Sequence, residues 1–112
     1  MTGSRNWRDE NAIANALIKA TNNVIGPHLV MHGGARGADS LAGKIASGFG
    51  WWVEVYVADW KTHGRAAGCI RNQVMIERRP DIVLAFLMPD SRGTRDMIRR
   101  AEKARVPVQI FL

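Results

Sequence analysis

The chain has 112 residues, with 16 Lys plus Arg against 10 Asp plus Glu and a formal charge of +6, a length that fits one domain over residues 1–112. At 46% hydrophobic and 23% charged residues the composition is that of a folded chain, which excludes disordered and collagen-like polymers. The one cysteine, Cys69, excludes an internal disulfide and a cysteine-cluster zinc site, so the expectation is a packed thiol in a reducing, cytoplasmic compartment. The longest apolar run, Ile82 to Met88, falls far short of the roughly 20 residues that span a bilayer, and residues 1–10 carry no secretory pattern.

In chain order, a short first strand precedes Gly3-Ser4-Arg5. From Asp9 to Asn23 the apolar residues Ile13, Ala16, Leu17, Ala20 and Val24 recur at three- and four-residue spacing, which predicts a first helix stopped by Gly26-Pro27. His28 to His32 reads as a strand running into Gly33-Gly34. A second helix follows over Ala38 to Phe49, with the stripe Leu41, Ala42, Ile45, Ala46 and Phe49, Asp39 in its first turn and Gly50 as C-cap. Trp52 to Val57, rich in aromatic and β-branched residues, is the next strand. Ala58 to Gly68 has no clear period and reads as a functional loop over the sheet edge. Ile70, Val74 and Met75 mark a third helix ending before Pro80, and Asp81 to Leu87 is a continuous apolar run typical of a strand buried on both faces. Thr94 is the expected N-cap of a fourth helix with Met97, Ile98, Ala101 and Ala104 inward, and Val106 to Leu112 closes the chain as a strand.

Strands alternating with helices predict an α/β fold, a three-layer α/β/α sandwich on a mainly parallel sheet with right-handed crossovers. Ligands of such sheets sit beyond the carboxyl ends of the strands. Residues 2–6, 32–38 and 88–94 fall there, joined by 58–68.

The segment His32-Gly-Gly-Ala-Arg-Gly-Ala-Asp39 combines glycines with a helix start, which suits a phosphate cradle of free backbone amides, although glycines needed only for a tight turn explain it too. It matches neither a dinucleotide fingerprint nor a P-loop. Arg92, Gly93 and Thr94 repeat the arrangement after the buried strand. Arg65, Arg71 and Asn72 bring guanidinium groups for phosphate or carboxylate and an amide that can read a base or ribose edge. Gly3, Ser4 and Arg5 offer amides, a hydroxyl and a cation. His28, His32 and His63 lack metal-ligand spacing, Ser4, Ser40 and Cys69 lack a nucleophile's setting, and Trp51, Trp52 and Trp60 offer faces for stacking on bases, although aromatics around a strand more often serve core or edge packing. The scattered basic residues suit nucleic acid or a phosphorylated small molecule, with a solvated surface explaining most of them.

Four segments together, Thr2 to Trp7, His32 to Asp39, Ala58 to Trp60 and Gly64 to Asn72, resemble the YspA-related family of the SLOG superfamily. That superfamily groups Rossmann-like domains that include cytokinin-activating phosphoribohydrolases, the DNA-processing protein DprA and molybdenum-cofactor carriers, and its YspA branch is frequent in actinobacteria and their phages. The resemblance implies a Rossmann-like fold whose Gly3, Ser4, Gly33, Gly34, Gly37, Gly93 and Thr94 line a nucleotide-phosphate site, with Arg36, Asp39, Arg65, Arg71 and Asn72 in the pocket; no cofactor or metal is expected. The phosphoribohydrolase motif Pro-Gly-Gly-x-Gly-Thr-x-x-Glu is altered here: Asp90 and Ser91 replace the glycine pair and Met97 replaces the glutamate. The first strand is truncated relative to the family.

The leading expectation is therefore binding of a nucleotide or nucleotide-derived ligand, as a sensor or processing domain. A nucleic-acid-binding module of DprA type, with Thr94 to Arg105 as its basic helix, is the second reading. The third is hydrolysis of an N-glycosidic bond, with Arg71 steadying the substrate and Asp39 or Asp96 standing in for the glutamate. The shortened strand predicts a homo-oligomer joined through the first helix or the segment around Trp51. No membrane partner is expected.

Overall fold

The computed structural model describes residues 1–22, 24–89 and 91–112. Five strands, β1 (Thr2–Gly3), β2 (Leu29–His32), β3 (Trp52–Val55), β4 (Val83–Phe86) and β5 (Val108–Phe111), alternate with the helices α1 (Glu10–Thr21), α2 (Ala38–Gly48), α3 (Trp60–His63), α4 (Ala67–Glu77) and α5 (Arg92–Lys103). All strand pairs are parallel, in the order β1-β4-β5 and, as a separate ladder, β2-β3. This is a Rossmann-like α/β arrangement. Among the described residues no helix is long and apolar enough to cross a membrane.

Local chemistry sets the boundaries. Asp9 caps α1, its carboxylate accepting from the Ala12 amide at 3.0 Å, and Thr21 turns its hydroxyl back to the Leu17 carbonyl in the last turn. The expected end of this helix at Asn23 lies outside the described residues. Before α2, Gly37 has φ +77° and stands so close to the Ser4 and Arg5 carbonyls that a side chain would collide with them. Ala38 then donates to the Ser4 carbonyl at 3.1 Å, while the Ser4 amide donates to Phe86 at 2.9 Å. One residue thus joins β1, β4 and α2.

The core lies in two halves. Leu84 and Phe86 face Ile13, Leu17, Val30, Ala38, Ala42 and Ala46 from α1, α2 and β2. Val83, on the opposite face of β4, joins Met75, Ile76, Met97 and Ala101 from α4 and α5. Period-two alternation along one strand therefore feeds both layers. Phe86, fully buried, stacks on Phe111 with ring centroids 4.6 Å apart and meets Trp7 edge-on at 5.0 Å.

Four expectations are corrected. Residues 58–68 are not a loop: Asp59 caps the one-turn helix α3 by accepting from Thr62 at 3.1 Å, a 3-10 turn follows at Gly64–Ala66, and α4 begins at Ala67. α5 starts at Arg92 with Ser91 at the cap position, so Thr94 lies inside the helix, buried, and does not cap it. Cys69 is exposed on α4 rather than packed. β1 lies beside β4 as expected of a first strand, but with only two residues it has no hydrogen-bonded register to β2 among the described residues. An apolar groove of about 570 Å³ separates Leu29–Met31 from Ile82 and Leu84.

Replacing Phe86 by Ala removes the ring on which two others, Trp7 and Phe111, converge. The expected loss is about 3–5 kcal/mol, read as a lower urea midpoint at unchanged slope.

Candidate functional site

A cavity of about 400 Å³ opens at the carboxyl ends of β1 and β4, within the range of small-molecule sites. Its walls come from the end of β1 (Thr2 to Asn6), the loop into α2 (Ala35, Arg36, Asp39), α3 (Trp60), α4 (Gly68, Arg71, Asn72) and the start of α5 (Ser91 to Thr94). Arg5, Arg36, Arg71 and Arg92 line it, with Asp39 as its carboxylate.

In the glycine loop after β2 the amides of Gly33, Gly34 and Ala35 are already engaged. Asp39, only 6% exposed, turns its Oδ2 back into the loop and accepts from the Gly33 amide at 3.0 Å and the Ala35 amide at 3.4 Å. The Gly34 amide donates to His32 Nδ1 at 3.0 Å. The loop is closed by its own side chains. Asp39 Oδ1 is buried without a hydrogen-bond partner among the described residues, an arrangement that costs free energy unless something else meets it. Burial pushes the Asp39 carboxyl above its ordinary pKa, opposed by the Met1 amino group, His32, the Ala35 amide and Arg71. Burial also lowers the His32 pKa, with Asp39 pulling it back up.

Arg71 and Asn72 form the next shell. Arg71 Nη1 donates to the carbonyls of Gly33 (2.9 Å) and Tyr56 (3.2 Å), and its Nε donates to Asn72 Oδ1 at 3.0 Å. A Cβ on Gly33 would overlap this guanidinium, so a side chain there would displace Arg71 from these contacts. Asn72 Nδ2 donates to the Gly93 carbonyl at 3.1 Å and to Asp96 Oδ2 at 3.0 Å. With both ends of its amide engaged, Asn72 has no edge left for a base or ribose.

The start of α5 is different. The Ser91 hydroxyl accepts from the Met88 amide at 3.1 Å, and among the described residues no side chain caps the helix. First-turn amides have no acceptor within their own helix and carry its positive end. Gly93 lies in that turn with nothing within 4 Å of the position a Cβ would take among the described residues.

Not every residue singled out from the sequence reaches the cavity. Gly3, Ser4, Arg5, Arg36, Asp39, Arg71, Asn72, Arg92, Gly93 and Thr94 line it. Gly33, Gly34 and Gly37 shape the loop from behind, and Arg65 is exposed on the 3-10 turn outside the cavity. Asp96 turns away to Arg99 (3.3 Å) and Arg100 (2.8 Å). Burial raises the Asp96 pKa, but its bonds from Arg100 and Asn72 outweigh this and hold it below its ordinary value. Met97, at the position of the glutamate in the phosphoribohydrolase motif, is buried in the core. The sequence reading ranked packing above stacking for Trp60 and missed Ser91, both cavity-lining. The signal for Trp60 was its place in Ala58-Asp-Trp60, one of the segments that carry the family resemblance.

The pattern of the family described as YspA, cpYpsA-related SLOG family matches residues 1–63, more than half of the chain and all of β1, the glycine loop and α3. The chain belongs to this family. It is also 41% identical over 116 aligned residues to the Gene 61 protein of Mycobacterium phage D29, covering 99% of this chain and 93% of that protein. No solved structure matches it significantly.

The raised pKa of Asp39 means that its stabilising contribution is full below the ordinary carboxylate range and is lost as pH rises through its folded-state value. Asp39→Asn removes that loss. The stability of Asp39→Asn minus that of the unaltered protein should therefore become more positive between pH 4 and pH 7 in paired urea denaturations; a flat or falling difference contradicts the assignment.

Proposed function

We propose that the cavity binds a nucleotide or nucleotide-derived ligand, with the phosphate on the first turn of α5. The observation that carries this reading is Gly93. Glycine inside a helix costs about 0.5–1 kcal/mol relative to alanine, and no neighbour of Gly93 among the described residues needs the missing Cβ. A bare backbone in an uncapped first turn, open to a cavity, is what close approach of an anion requires. Arg92, Arg5 and Arg36 line the same cavity and supply charge. Family membership supports a nucleotide as the source of the phosphate.

Asp39 gives the site a direction. A carboxylate in the first turn of α2 offsets that helix's positive end and disfavours a second anion there. The phosphate belongs at α5 and not at α2. Hydrolysis finds less support, since Asp96 is bound to Arg99, Arg100 and Asn72 and Met97 brings no carboxylate.

Gly93→Ala separates fold from function. The variant should melt about 2–5 °C higher than the unaltered protein, because alanine favours the helix, yet lose most of the stabilisation that millimolar AMP gives the unaltered protein by mass action. A Gly93→Ala protein that keeps the full AMP shift contradicts the phosphate position.

A further inference from the structure

We propose that the indole of Trp60 is the platform on which the aromatic base of the ligand stacks; this rests on the phosphate reading above and assigns the opposite end of the same ligand. Trp60 lines the cavity and is 52% exposed. Its neighbours in sequence hold it there. Asp59 caps α3 through the Thr62 amide, which fixes the helix that carries the ring. Gly68, in the first turn of α4, lies beside the benzo edge of the indole, where a Cβ would be in van der Waals contact at 3.4 Å from Cη2.

The other tryptophans show what is unusual here. Trp7 meets Phe86, and Trp51 packs against His28 and Phe49. Trp52 stands on the outer strand β3, away from the cavity. Trp60 alone is set in the cavity wall, with no aromatic partner among the described residues. A half-exposed indole in the wall of a cavity that four arginines also line is the pairing that recognises a phosphorylated aromatic compound, and stacking accepts any base because every base has a π-face. Asn72, whose amide could have read a base edge, is consumed by Arg71, Gly93 and Asp96. Recognition of the base is therefore by face.

The test is calorimetric titration of AMP and of ribose 5-phosphate into the unaltered protein, Trp60→Leu and Trp60→Phe. Stacking contributes roughly tenfold or more in affinity. The unaltered protein should prefer AMP over ribose 5-phosphate by about that factor, Trp60→Leu should bring AMP down to the level of ribose 5-phosphate without changing the latter, and Trp60→Phe should keep most of the preference. Trp60→Leu that binds AMP as tightly as the unaltered protein overturns the platform and leaves the phosphate site standing. If the unaltered protein binds neither compound, the phosphate reading falls and the platform falls with it.

Discussion

The Arg71–Asn72 pair is the contact on which the site depends. β1 is too short to bridge β2 and β4, so the backbone ladders β2-β3 and β1-β4-β5 are not joined to each other by a hydrogen-bonded register among the described residues. Arg71 grips the carbonyls that follow β2 and β3, at Gly33 and Tyr56, and hands one contact to Asn72, which holds Gly93 and Asp96 on α5. Two adjacent residues of α4 thereby tie the ends of one ladder to the helix packed on the other. Hydrogen bonds from charged donors are among the stronger ones, and a hydrogen-bond network positions its parts more sharply than apolar packing does.

That stitch decides which groups remain for a ligand. Arg71 and Asn72 hold the walls together, and Asp39 closes the glycine loop from within. Three of the polar residues most easily assigned to a ligand are thus engaged in building the cavity. What stays without a partner among the described residues is the first turn of α5, the indole of Trp60 and the buried Oδ1 of Asp39. Each carries a local cost: an uncapped helix with a glycine in it, a half-exposed aromatic, a buried acceptor without a donor. Features that lower stability and converge on one cavity are expected where a fold has been shaped for binding.

Most of the architecture was legible in the residues. The three- and four-residue stripe from Ile13 to Ala20 and the continuous apolar run around Val83 to Phe86 carry their periods in the sequence, and the helix and strand form there. Residues 58–68 were not legible because a one-turn helix is too short to show a period, and its organiser, the Asp59 cap, is a single side chain. Thr94 misled because a threonine beside a glycine resembles a cap, whereas the helix begins two residues earlier. At the site, composition announced an anion-binding loop in Gly33 to Gly37 but could not reveal that Asp39 folds back onto it. That depends on a rotamer. Asn72 looked like a base reader for the same reason: its partners Gly93 and Asp96 lie more than twenty residues away.

The central claim is that an anionic ligand meets the first turn of α5 and not the glycine loop after β2. Amide-resolved NMR during titration with AMP measures this directly. The account predicts the largest shifts at the Arg92, Gly93 and Thr94 amides, with Gly33, Gly34 and Ala35 nearly unmoved because Asp39 and His32 already hold them. Shifts concentrated at Gly33 to Ala35, with α5 silent, would contradict it.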